Sequence, residues 1–286
     1  MAYSSFADLL HGAAMSGSLG SAALACESDE TGAAAEEIRA RMSDSLTVMR
    51  EAVARGLAGE ARSRSGLVGG DAAKLAGSAS PLVGGLFASA IAGALATAEV
   101  NAAMGRIVAA PTGGASGVVP GVVLAVAGHL GAEEDAVIDA LFAAAAVGGV
   151  IASRATLSGA AGGCQAEIGS ASAMAAAAAV QLAGGSPEAS GHAASFALQG
   201  QLGLVCDPVG GLVEVPCVAR NATGAAVALA AAELALAGAT FPIPFDEVVD
   251  AAGHVGHELP LSLRETALGG MATTPTGKRL AGESCS

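Results

Sequence analysis

The stretch SASAMAAAAAV, residues 170–180, carries alanine at seven of its eleven positions. Alanine is the strongest helix former, so the segment reads as helix. Such a helix has almost no side-chain bulk, and its neighbours must approach closely if it is to be buried. The segments 131–149 and 222–239 are similarly rich in alanine, and no run shows the sustained alternation of β-branched residues that marks a strand. Large aromatics do not fill the interior: the 286 residues include no Trp, one Tyr and six Phe. Together these features predict an all-α fold. A single large domain over 1–286, built of Ala/Gly-rich helices, suits this length, and no linker or internal repeat divides it.

Residues 32–55 place Ile38, Met42, Leu46, Met49 and Val53 at helical spacing between charged residues, which predicts an amphipathic helix with one wet face. The segment 62–78 is too broken by Gly and Ser to be helical before Asp71. The segment 131–149 opens with acids, as a helix N-terminus should, and is expected to stop at Gly148-Gly149. Residues 166–185 are expected to form one long helix, and 280–286 a flexible tail.

More than half of the chain is hydrophobic, and 81–100 is nearly long enough to span a bilayer. It is made of Ala and Gly rather than Leu, Ile and Phe, so its insertion energy is weak, and a buried helix is the better reading. A membrane or assembly protein built on such helices stays as the non-enzyme alternative. The net charge of −13, with no basic stripe among aromatics, speaks against nucleic-acid binding. The N-terminus lacks the basic region and long apolar core of a signal peptide, so a cytoplasmic location with reduced thiols is expected. Five cysteines, an odd number, do not suggest a disulfide framework.

Most polar residues lie in five Gly/Pro/Ser/Thr-rich loops, at 63–71, 101–121, 159–170, 205–222 and 263–279, which suggests an active site where they meet. Cys164, Cys206 and Cys217 fall in these loops or at element ends, spaced C-x41-C-x10-C. That spacing does not fit a structural zinc site. Three thiolates are one fewer than a closed iron–sulfur site needs, which would leave one iron open; the alternative is three small buried hydrophobes. Cys26, with no Gly/Pro frame, reads as the latter.

The motifs SRSGLVGGDAAK, NAAMGRIVAAPTGGASGVVPGV, GCQAEIGSASAMAAAA, CDPVGGLVEVPCVARNA and RETALGGMATTPTGKR, in this order, resemble the iron–sulfur-dependent L-serine dehydratases, and more narrowly their α chain or catalytic domain. The resemblance runs from about residue 60 to 280; helices in 1–60 are less diagnostic. It implies an all-α catalytic domain, a 4Fe–4S cluster on Cys164, Cys206 and Cys217, and conversion of L-serine to pyruvate and ammonia. The open iron would act as Lewis acid on the β-hydroxyl while a base takes the Cα proton. Two of the three ligands would sit on a non-helical loop bent at Gly210-Gly211 and stiffened by Pro208 and Pro216. Val205 stands where many relatives have Thr. Some relatives end in a cysteine that binds the open iron, a position similar to that of Cys285.

For the substrate carboxylate, hydroxyls and backbone amides of Ser63, Ser65, Gly66, Asn101, Thr112, Gly113 and Gly114 are candidates, with Arg106 as a fork. Lys74 and Lys278, the chain's two lysines, and His192 are candidate bases, with His254 and His257 behind them. The base stays unassigned, and a second chain is one possible source of it. Nothing here has the alternating strands of the regulatory domain that family members carry on a β chain, so a β partner or a homo-oligomer is expected. A pyridoxal-phosphate lyase built on either lysine is the competing enzyme; the chain lacks the α/β alternation of such folds, so no pyridoxal phosphate is expected. Within the family, L-cysteine or another β-substituted amino acid is the alternative substrate.

Overall fold

The computed structural model describes residues 4–79 and 82–284. Its helices are α1 (Phe6–Ser16), α2 (Leu19–Thr31), α3 (Ala35–Leu57), α4 (Asp71–Ala76), α5 (Gly85–Ala102), α6 (Val118–Leu130), α7 (Glu134–Arg154), α8 (Gly159–Gly162), α9 (Ser170–Leu182), α10 (Pro187–Gln199), α11 (Cys217–Leu236), α12 (Phe245–Glu258) and α13 (Pro275–Ser284). Among the described residues there is no strand, only one isolated bridge between Cys206 and Arg264. The fold is all-α, as the alanine content predicts.

The alanine run is the hub. Every residue of α9 from Ser170 to Val180 is buried, and α6, α7, α10 and α11 pack around it. Small residues set how near the helices come. A Cβ at Gly121 of α6 would lie 2.5 Å from the Ala94 amide nitrogen and 2.6 Å from the Ala90 carbonyl oxygen of α5. These two helices therefore touch backbone to backbone. Helix α3 shows the expected sidedness: Ile38, Leu46 and Met49 are buried, Met42 and Val53 half-buried, and Arg50 on the wet face pairs with Glu134 at 2.6 Å.

Helix α7 does not stop at Gly148-Gly149; it continues to Arg154. A Cβ at Gly148 would meet the Met174 Sδ and Cε at 3.0 Å, so this glycine admits α9 rather than ending a helix. Two helices, α5 and α7, are long and apolar enough to cross a membrane by length and composition; 56% and 72% of their apolar windows are buried inside the protein.

Candidate functional site

Three elements bring the three framed cysteines together. Cys164 follows α8 and opens a π-helical turn, Gln165–Gly169, that runs directly into α9. π-turns of this kind cluster at functional sites. Cys206 lies on an extended segment locked to the 263–265 loop: its amide donates to the Leu263 carbonyl at 2.8 Å, and the Glu265 amide donates to its carbonyl at 2.8 Å. Cys217 is the first residue of α11, not a loop residue as its Pro-rich frame suggests; the helix begins directly after Pro216. All three thiols are buried. Gly210 (φ +63°) and Gly211 (φ +72°) bend the chain between the last two, and Gly210 faces Ala281 of α13.

Buried polar side chains hold these elements in register. Gln165 donates to the Ala252 carbonyl at 2.8 Å and accepts from the Gly203 amide at 2.7 Å, tying Cys164's turn to α12 and to the approach to Cys206. Asn221, fully buried, accepts from Gly117 N at 2.9 Å and donates to Gly114 O at 2.8 Å and to Cys217 O at 3.0 Å. It clamps the 112–117 loop onto the first turn of α11. Arg220, one turn after Cys217, donates to Val205 O and to Asp207 Oδ1, both at 2.8 Å.

Hydrogen bonding with the neighbouring Cys206 thiol lowers the pKa of Cys164 against the opposing effect of burial, with Arg220 helping. The same bond, then burial, raises that of Cys206. Burial, followed by the charge on Cys164, pushes Cys217 up to about 12. Glu167 adds a carboxylate: its Oε2 is 4.0 Å from Cys206 Sγ, and its Oε1 accepts from Thr112 Oγ1 at 2.7 Å. Burial raises its pKa. Three thiols and a carboxylate this close cannot all be ionised unless a cation shares the site, because each added negative charge raises the cost of the next. Among the described residues, no three His, Cys, Asp or Glu close on a single ion. A Cβ at Gly159 would stand 3.3 Å from Cys206 Sγ and 3.0 Å from the Glu167 carboxyl carbon, so this glycine keeps the space over both open. The donor set is soft and anionic and suits a cationic iron–sulfur group better than a lone hard ion.

The predicted carboxylate-binding residues fall in two loops. In the first, Ser65 is engaged by Glu214: its amide donates to Oε1 at 3.2 Å and its hydroxyl to Oε2. Ser63 Oγ accepts from Val68 N at 3.2 Å, and the Gly66 amide donates to Ser63 O at 3.0 Å. Buried Glu99 grips the end of this loop, accepting from the amides of Gly70 (2.9 Å), Asp71 (2.7 Å) and Ala72 (3.2 Å). In the second loop, Gly113 and Gly114 are half-exposed, Gly114 beside Glu167 and Gly113 beside Asn101. Arg106 is exposed.

The candidate bases are scattered. Lys74 is exposed and paired with Asp71 at 2.7 Å, and Lys278 is exposed on α13. His192 lies inside α10, where its Nδ1 accepts from Phe241 N at 3.2 Å. His254 and His257 line a surface cavity with Arg154 and Asp250. Cys285 lies outside the described residues. Sequence reasoning singled out neither Glu167, Arg220, Asn221 nor Glu99. Glu99 had a signal: it is the one charged residue of α5.

Residues 16–272 match the family described as serine dehydratase alpha chain. The chain is 53% identical over 260 residues to the probable L-serine dehydratase alpha chain of Bacillus subtilis, covering 90% of this chain and 86% of that protein. It is 44% identical over 248 residues to the L-serine dehydratase alpha chain of Peptoniphilus asaccharolyticus, covering 86% and 85%. Against the L-serine dehydratase of Streptomyces coelicolor it is 44% identical over 181 residues, which is 63% of this chain but 40% of that longer protein.

Proposed function

Because the chain belongs to the serine dehydratase alpha chain family, we propose that it is the catalytic α chain of an L-serine dehydratase. In this reading Cys164, Cys206 and Cys217 hold a 4Fe–4S cluster, and L-serine is converted to pyruvate and ammonia. The observation that carries the reading is that three elements, each bearing a buried cysteine, are bonded to one another: Gln165 N donates to Leu204 O at 2.9 Å and Arg220 to Val205 O at 2.8 Å. When bound, the cluster supplies Lewis acidity to the substrate's β-hydroxyl through the iron that no cysteine ligates.

The protein's task is to orient the amino acid. Among the described residues, the amides of Gly113 and Gly114 donate to no protein group, and both are half-exposed on a loop that Asn221 holds against the cysteine helix. They are suited to receive the serine carboxylate, as backbone amides in such loops do. The Ser65 hydroxyl is already given to Glu214, so Ser65 fixes its loop rather than gripping substrate. Thr112, donating to Glu167, sets where that carboxylate stands beside Cys206.

The name alpha chain carried by the relatives, and the extra length of the Streptomyces protein, support a separate β chain as partner. Anaerobic reconstitution with iron and sulfide, with and without a co-expressed β chain, followed by assay of the 2-oxo acid formed (pyruvate from L-serine or L-cysteine, 2-oxobutyrate from L-threonine), tests the reading. Pyruvate formed fastest from L-serine supports it. Pyruvate from L-cysteine alone would move the chain to a desulfurating relative.

A further inference from the structure

Arg220 joins the helix that carries Cys217 to the segment that carries Cys206. It stands on α11, three residues after Cys217. Its two terminal nitrogens donate to Val205 O and Asp207 Oδ1, each at 2.8 Å, and these residues flank Cys206 on either side. The positive charge of Arg220 also helps to lower the pKa of the Cys164 thiol. Asp207 is in turn fixed from behind, its Oδ2 accepting from Met271 N at 2.7 Å. The side chains of Arg220 and Asp207 are 14% and 4% exposed.

A buried ion pair of this kind gives little net stability over well-packed apolar residues, so stability alone does not account for it. Its geometry does. A planar fork reaches the acceptors on both sides of Cys206 at once, a geometry that a lysine's point-like ammonium does not match. A cationic donor beside a cluster thiolate also changes the cluster's electronics, because N–H bonds to sulfur and nearby positive charge stabilise the reduced form.

We infer that Arg220, braced by Asp207, is a positioning residue that fixes Cys206 relative to Cys217 and raises the reduction potential of the cluster that these cysteines hold with Cys164. This rests on the cluster reading above. The test compares the wild-type chain with R220Q, R220K and D207N after anaerobic reconstitution with iron and sulfide. It reads the cluster's midpoint potential by spectroelectrochemical titration, its visible circular dichroism, and the melting temperature of each cluster-free protein. R220Q is expected to show a more negative potential and an altered visible dichroism. R220K, which keeps the charge without the fork, falls between it and the wild type. D207N, which frees the fork from its brace while keeping its charge, is expected to alter the visible dichroism without the negative shift in potential. A potential and dichroism in R220Q equal to those of the wild type, however far its melting temperature falls, overturn the inference. If R220Q yields no folded protein, R220K decides by the same criterion. A wild-type chain that takes up no iron and sulfide overturns the cluster reading itself, and this inference with it.

Discussion

Replacing Asn221 by alanine tests how the 112–117 loop is held. The side chain is fully buried and makes three hydrogen bonds, two of them to the 112–117 loop. Alanine strands the Gly117 amide and the Gly114 carbonyl. A buried polar group left unpaired costs about 1–3 kcal/mol, so the two together give about 2–6 kcal/mol. Gly114 is half-exposed, and water recovers part of its bond, which brings the expectation to about 2–4 kcal/mol. Urea denaturation of the cluster-free protein, followed by far-ultraviolet circular dichroism, reads this directly. Asn221→Ser, which keeps one bonding group, should fall between wild type and alanine. A loss below about 1 kcal/mol for Asn221→Ala, within the ordinary range for point changes, would refute the claim that this side chain clamps the loop.

Gly121→Ala should destabilise the fold by about 1–3 kcal/mol, because its Cβ would press on the α5 backbone rather than on a movable side chain; thermal denaturation measures it. Glu99→Gln replaces an acceptor of three amides by a group that offers a donor, and should cost about 1.5–3 kcal/mol in the same measurement. Glu214→Gln should release Ser65 and raise KM for L-serine several-fold while the visible absorbance of the reconstituted protein stays unchanged; an unchanged KM would remove Glu214 from the site's support. Cys26→Ser should leave both absorbance and activity intact, since Cys26 lines a separate groove between α2, α3 and α7.

The fold class was legible because alanine reports helix and its lack of bulk reports close packing, and both hold at α9. Helix ends were less legible. Gly148-Gly149 reads as a stop by intrinsic propensity, yet the need to admit Met174 lies in another helix, and local sequence does not carry it. Cys217 reads as loop because prolines surround it, whereas Pro216 is the residue from which α11 departs. Helices α5 and α7 have the length and composition of membrane spans, and hydropathy alone does not distinguish lipid from the interior of an all-helical domain. At the site, the cysteine-bearing motifs were visible from their Gly and Pro frames. Asn221 and Arg220 were not, because their partners lie in loops more than a hundred residues away for Asn221 and across a turn for Arg220. Glu167 lay within a recognised motif, but only the fold turns it toward Cys206.

The central claim is that Cys164, Cys206 and Cys217 together hold one iron–sulfur cluster. Iron and acid-labile sulfide bound per chain, measured after anaerobic reconstitution of the wild type and of each single Cys→Ser variant, tests it most directly. The account predicts about four of each in the wild type and a loss of both in all three variants, as expected for a cluster of this kind with three cysteine ligands. A Cys206→Ser protein that retains the wild-type content of iron and sulfide would contradict it.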